Sequence, residues 1–398
     1  MEVLRRHPLA WKPEDFSVDN PNSTPEYLHV VDEDGMAEVD AALEKFKGKR
    51  LSLKLGLDGD AIGKNNFLLP TLRTKLEQAC QDVHSGKGVA VVRGIPTAGY
   101  TPEDSLSVFL GVADYIGDIR GVQDRKGSMV AHITDAGWTV PPQLRHGIHT
   151  NSNLEWHSDW GVDILALHVR GLAARGGDTF VASSWTICSE LLVAHPKALE
   201  VLQSPTWPVQ VSGSPPRHIL MPLVKVIGDK LFFAVDPGRL GLHPASARVA
   251  DSLVPDLSSE QHEALGLLSE FASKHQLRLD LRPGDMVFIN NWAVLHARDA
   301  YVDEGGARRH LVRLWLRNSS LGWPVPDSMK APWEAAFGPL GDGNPVFVKG
   351  GRTSHITEQN YPVVPTREYA KPKYTAGSAS FILEDSEDVN AGGPQVQI

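Results

Sequence analysis

The sequence predicts an α+β chain in which helices come first and a β-sandwich or jelly roll follows. Three observations carry this. Up to about residue 120, apolar residues recur at the three- and four-residue spacings of helices. Beyond that point, short apolar runs alternate with Gly, Pro, Asn and Asp. Helical patterns between those runs then support the strands. With 36 Gly and 28 Pro in 398 residues turns are plentiful, and 41% hydrophobic content suffices for a substantial core.

The elements follow in order. Residues 1–49 read as a surface-hugging leader, Pro-rich and polar and then acidic, with a helix over EVDAALEKFKGK (38–49) stopping at its glycine. A second helix is predicted in TLRTKLEQACQDVHSGKG, where Leu72, Leu76, Ala79 and Val83 share a face. GVAVVRGI is a buried strand. TPEDSLSVFLGVADYIG is a third helix, opening with a Thr cap and an acidic first turn. DILALHVRGLA, GDTFVASS, LMPLVKVIGDKLFFAV, GDMVFINNWAVLHA and RRHLVRLWLRN read as strands, with HPKALEVL and SSEQHEALGLLSEFASKHQ as helices between them. Residues 50–375 are expected to form a single domain, and the acidic tail 376–398 to be mobile.

Composition narrows the function classes. A net charge of −9 without a basic stripe argues against nucleic-acid binding. Cys80 and Cys188 lie far apart and form no CxxC pattern, so reduced thiols are expected and a disulfide framework is excluded. The start, MEVLRRHPLAWKPEDF, has no apolar stretch after its basic residues and does not read as a secretory signal. KGVAVVRGI is too short to cross a bilayer. A soluble, cytoplasmic protein without membrane contact is expected.

The chemistry centres on NLEWHSDWGVD (153–163). On a strand, residues i and i+2 project from one face, so His157 and Asp159 would point together. An imidazole and a carboxylate are two thirds of the facial triad that holds non-haem Fe(II) with open positions. Alone, such a pair is commonly no more than a hydrogen-bonded couple. A second segment, GDMVFINNWAVLHARDAY (284–301), places His296 just beyond an apolar strand, and a jelly roll can bring it alongside. In the third, GARRHLVRLWLRN (306–318), parity sets Arg309, Leu311, Arg313 and Trp315 on one face and His310, Val312, Leu314 and Leu316 on the other. The apolar face should enter the core; the other sets two guanidinium groups into a cavity, where they require anions.

His-x-Asp, then GGDT (176–179), a distal His and an arginine-bearing strand resemble the TauD/TfdA family of Fe(II)/2-oxoglutarate-dependent dioxygenases, in a fungal-type branch. The resemblance spans roughly residues 50 to 340 and rests on the combination of motifs. It implies a double-stranded β-helix (jelly roll) core with flanking helices. It also implies that His157, Asp159 and His296 ligate iron, that Thr179 and Arg309 hold the distal carboxylate of 2-oxoglutarate, and that Arg313 grips an anionic group of the substrate. Arg308 beside Arg309 leaves room for a slip by one, and parity favours Arg309, which shares a face with Arg313. The loop YVDEGGA lengthens the approach to that strand relative to the taurine enzymes, and the gap from His-x-Asp to GGDT is short, so substrate identity does not transfer.

The implied reaction is oxidation by O2 (hydroxylation, desaturation or ring closure) of a small anionic substrate such as an amino acid or carboxylate, in specialised metabolism, by a homodimer. Two alternatives stand beside it: an iron oxygenase independent of 2-oxoglutarate, and a non-catalytic binding protein on the same jelly roll. Among lesser candidates, Asn153 and Glu155 share the face of His157 if the strand extends back to them, and Asn153 would then touch substrate or cosubstrate; otherwise it caps a turn. Trp156 and Trp160 read as packing residues, His146 and His149 as either entrance residues or, like most of the 16 histidines, structural or exposed ones, and Lys225 and Lys230 as solvated. HPASARVAD around His243 reads as a helix start.

Overall fold

Strand alternation divides the core into two layers. The structure, a computed structural model, describes residues 7–16, 24–53, 62–123, 129–135, 147–210, 218–241 and 254–338, with backbone alone over 49–53. Its strands are β1 (Leu28–Val30), β2 (Val89–Arg93), β3 (Ile119–Arg120), β4 (Val130–Thr134), β5 (Leu154–His157), β6 (Ile164–Gly171), β7 (Arg175–Gly176), β8 (Thr179–Ser183), β9 (Trp207–Gln210), β10 (His218–Met221), β11 (Val224–Ile227), β12 (Lys230–Phe233), β13 (Leu277–Leu279), β14 (Met286–Asn290), β15 (Val294–Arg298), β16 (Tyr301–Val302) and β17 (His310–Arg317).

One sheet runs β1-β2-β14-β6-β17-β3, with β4 also on β17, and the other runs β13-β8-β15-β5. Neighbours distant in sequence mark the crossed connections of a jelly roll, and the α+β class expected from sequence is the class observed. Val91, Leu167, Ile289, Leu311 and Trp315 belong to the core cluster that takes in Val181 and Leu295 of the second sheet. Their strand neighbours Ala90, Val92, Ala166, Phe288, Val312 and Leu314 pack instead with the N-terminal helices. Apolar side chains on both faces keep the first sheet dry on both sides. Along β17 the observed division is the one parity predicts.

The helix expected over 38–49 runs from Glu33 to Leu53. Asp32 caps it by accepting the Gly35 amide at 2.9 Å. Gly48 does not stop it, since an interior glycine costs roughly 1 kcal/mol and ends no helix unaided. Leu72–His84 buries the four residues expected to form its face, and the Thr101 hydroxyl caps Pro102–Ala113 by accepting from the Asp104 amide at 3.1 Å. Ser184–Ala194 is a helix that periodicity does not reveal, because it is apolar nearly all round; Ser183 caps it through the Thr186 amide at 3.1 Å. GDMVFINNWAVLHA is two strands, β14 and β15, so His296 lies within a strand rather than beyond one.

No helix among the described residues is long and apolar enough to cross a membrane. The tail 376–398, His146 and the HPASARVAD segment lie outside the described residues.

Candidate metal centre

Strand pairing brings the distant motifs together. β15 lies between β5 and β8, so His296 pairs with His157 on one side and Val181 on the other, and Arg298 with Leu154 and Thr179. The register shifts between His296 and Arg298: Ala297 stands opposite both Glu155 and Trp156, a β-bulge in β5. The bulge re-aims the strand. Leu154 and His157, three residues apart, both line the central cavity of about 40 Å³, together with Asp159, His296, Thr179, Arg309 and Arg313. Asn153, exposed, lines a separate cavity of about 670 Å³ beside the Ser259–Lys274 helix. The uninterrupted alternation that placed Asn153 on the face of His157 is broken there. Trp156 and Trp160 pack in the core, and the Trp156 indole donates to Ser273 Oγ at 2.9 Å.

Asp159 lies past the end of β5, and its backbone is held by Asn291. That side chain accepts the Asp159 amide at 2.8 Å and donates to the Asp159 carbonyl at 2.7 Å and the Val162 carbonyl at 2.9 Å. Asp159 Oδ2 accepts from Arg313 Nη1 at 2.8 Å and Trp315 Nε1 at 2.6 Å. Asp159 Oδ1 faces His157 Nε2 at 3.9 Å and His296 Nε2 at 3.7 Å. One ligand atom from each of the three residues lies within 4.8 Å of the others.

The protonation states suit a cation. His157 Nδ1 donates to the Glu155 carbonyl at 2.7 Å, which fixes the tautomer with the Nε2 lone pair toward Asp159. Burial, aided by the neighbouring His296, lowers the His157 pKa to about 4, so the ring is neutral at pH 7. Burial would raise the Asp159 pKa, but the Arg313 guanidinium and His296 outweigh it and hold the carboxyl well below the usual carboxylate range. Two imidazoles, that of His157 held neutral, and one ionised carboxylate whose second oxygen is already taken fit the donor set of a two-histidine, one-carboxylate iron site.

Beyond the triad lies a cationic end. Arg309 is 3% exposed, while Arg308 is half-buried and lines no part of the cavity. Arg309 Nε donates to the Gly177 carbonyl at 3.1 Å, and a Cβ on Gly177 (φ +78°) would meet Arg309 Cδ at 2.8 Å. GGDT therefore seats this arginine, and Thr179 opens β8 in the same cavity wall. Burial lowers the Arg309 pKa to about 9, with Arg298 adding repulsion.

Arg313, expected to grip a substrate anion, lines the same cavity and is engaged by the protein itself. Its guanidinium is occupied, by Asp159 Oδ2 and, through Nε, by Gln123 Oε1 at 2.8 Å. Sequence reasoning missed Gln123, Asn291 and Arg298. Arg298 was legible, since parity in VLHAR puts it on the face of His296; Gln123 and Asn291 carry no pattern that marks them.

Comparison with known proteins adds the following. The model of the family described as "Taurine catabolism dioxygenase TauD, TfdA family" matches residues 52–315. The chain is 31% identical over 342 residues to "Taurine hydroxylase-like protein SAT17" of Stachybotrys chartarum, covering 83% of this chain and 84% of that protein. It is 30% identical over 319 residues to "FR-33289 synthase" of Streptomyces rubellomurinus, covering 76% and 88%. Among solved structures, an asparagine oxygenase in complex with Fe(II), 2S,3S-3-hydroxyasparagine and succinate superposes with a TM-score of 0.57 at 17% identity, covering 73% of this chain and 94% of that one. At that identity the likeness concerns the fold.

Proposed function

Since this chain belongs to the TauD/TfdA family and is a non-haem Fe(II)/2-oxoglutarate-dependent dioxygenase, we propose that its substrate is a small anion of amino-acid or carboxylate type and that the cavity around His157 is where it reacts. The observation that carries the reading is the convergence of three ligand atoms within 4.8 Å, in a cavity that is also lined by the buried Arg309 and Arg313. A buried cationic wall favours anions, and the relatives include a "Gamma-butyrobetaine dioxygenase" from Homo sapiens, whose name describes a carboxylate substrate.

In this reading His157 Nε2, Asp159 Oδ1 and His296 hold Fe(II), which when bound supplies oxidation by O2 coupled to 2-oxoglutarate decarboxylation. The chain's own residues supply placement. Glu155 fixes the His157 tautomer, Asn291 fixes the Asp159 backbone, and Arg313 with Trp315 occupies Oδ2, which would leave Oδ1 to take the metal. Thr179 and Arg309 take the distal carboxylate of 2-oxoglutarate. Arg313 has two tasks, orienting Asp159 and meeting an anionic group of the substrate beside it. Cytoplasmic residence and a homodimer complete the proposal, the latter open to light scattering.

The test is an anaerobic titration of the purified protein with Fe(II) and then 2-oxoglutarate, followed by the visible band that the keto acid develops on bound iron. A saturable band that is lost in His157→Ala supports the assignment; iron binding that survives in His157→Ala overturns it.

A further inference from the structure

The cationic end of the cavity holds a second buried arginine. Arg298 and Arg309, 5% and 3% exposed, face one aromatic ring: their guanidinium carbons lie 5.0 and 5.5 Å from the centroid of Tyr301. Arg298 is also the cross-strand partner of Thr179. Its Nη2 donates to the Thr150 carbonyl at 3.0 Å and to the Ser152 carbonyl. Its Nε and Nη1, like Nη1 of Arg309, are buried and donate to nothing among the described residues. Neither arginine forms an ion pair among those residues; the nearby Asp303 accepts the Arg309 backbone amide at 2.8 Å instead.

Two guanidinium groups brought together out of water, with no carboxylate paired to either among the described residues, are mutually repulsive and costly to keep. An anchor for the Thr150–Ser152 carbonyls needs one edge of Arg298 and leaves the other edge unexplained. An anion entering between the two arginines would satisfy the idle donors of both, and charge-assisted bonds of this kind are the stronger class.

We propose that Arg298 is a second anion-binding group of the cosubstrate seat, gripping the distal carboxylate of 2-oxoglutarate together with Arg309 and Thr179. The inference rests on the seat proposed above for those two residues. It also links cosubstrate to the segment ahead of β5, because the same guanidinium holds the Thr150 and Ser152 carbonyls.

Anaerobic calorimetry on the Fe(II)-loaded protein tests it with two ligands: 2-oxoglutarate, and 2-oxovalerate, which has the same keto acid end but terminates in a methyl group. Arg298→Gln should weaken 2-oxoglutarate binding by about tenfold or more while changing 2-oxovalerate by less than about twofold, since only the former has a distal charge to lose. Equal losses for both ligands would reduce Arg298 to an anchor of the loop and overturn the proposal, as would no loss for either. If Arg309→Gln loses the preference for 2-oxoglutarate and Arg298→Gln keeps it, the second arginine falls and the seat stands. If both variants keep the preference, the seat itself is elsewhere. Arg298→Lys guards against misfolding: a smaller, still selective loss supports the role, and an unselective one overturns it.

Discussion

Two buried aspartates four positions apart, Asp159 and Asp163, meet β17 through arginines four positions apart, Arg313 and Arg317, and both also accept from indoles. The ingredients match, but the outcomes differ. Asp163 Oδ1 takes Trp292 Nε1 at 2.7 Å and Arg317 Nη1 at 3.0 Å, while Oδ2 takes Arg317 Nη1 at 2.9 Å and Trp333 Nε1 at 3.0 Å. Both oxygens are filled, and the residue clasps the Lys330–Phe337 helix to the sheet. Asp159 has its donors on Oδ2 and turns Oδ1 toward two imidazoles. A buried carboxylate held by one oxygen keeps the other available to a cation, and one held by both serves as a clasp.

The largest expected effect separates the pair. Asp159→Ala should abolish iron binding and turnover, read by metal analysis and by 2-oxoglutarate-dependent succinate release. Asp163→Asn should leave iron stoichiometry intact and lower unfolding stability by about 3 kcal/mol in urea, because it discharges the partner of Arg317 and turns one acceptor oxygen into a donor, idling one of the two indoles. Iron loss in Asp163→Asn together with normal stability would erase the distinction between the two aspartates.

A smaller effect probes the filled oxygen. Trp315→Phe keeps most of the ring and deletes the N–H on Asp159 Oδ2. Iron affinity should fall by about tenfold, as is usual when a group that orients a metal ligand is lost. Unaltered affinity would mean that Arg313 alone orients the carboxylate.

The sequence carried much of this scaffold in its alternation. Parity along β17 assigned Arg309 and Arg313 to one face and Val312 and Leu314 to the other, and the structure places them so. His157, Asp159 and His296 were each weak signals, and their convergence depends on β5–β15 pairing that no local pattern encodes. Two features escaped for physical reasons. The bulge in β5 follows from the register of β15 rather than from β5 itself, so Asn153 was placed on the wrong side. Asn291 acts through backbone groups of a segment more than a hundred residues away, and such a role leaves no composition or period to read.

The smallest expected effect carries the comparison from carboxylates to histidines. His157 is half-buried with one nitrogen engaged and the other turned to the site, whereas His168, 1% exposed and packed near Phe109, has both ring nitrogens without a partner among the described residues. Burial lowers the His168 pKa to about 3, with Arg170 adding repulsion, and His310 is pushed to about 3 by burial and the same arginine. A folded-state value below the ordinary 6.5 means that the unfolded chain binds more protons once the pH drops beneath 6.5. The contribution is therefore complete above pH 6.5 and is lost progressively as pH falls toward 3. Between pH 7.5 and 6.0 each such histidine should cost on the order of 1 kcal/mol. His168→Leu should then flatten the decline in urea-unfolding stability over that interval and leave stability at pH 7.5 no lower than before, since no hydrogen bond is surrendered. An undiminished slope in His168→Leu would assign the acid sensitivity to other groups; a marked loss at pH 7.5 would mean that the ring, although unpartnered, is needed for packing against Phe109.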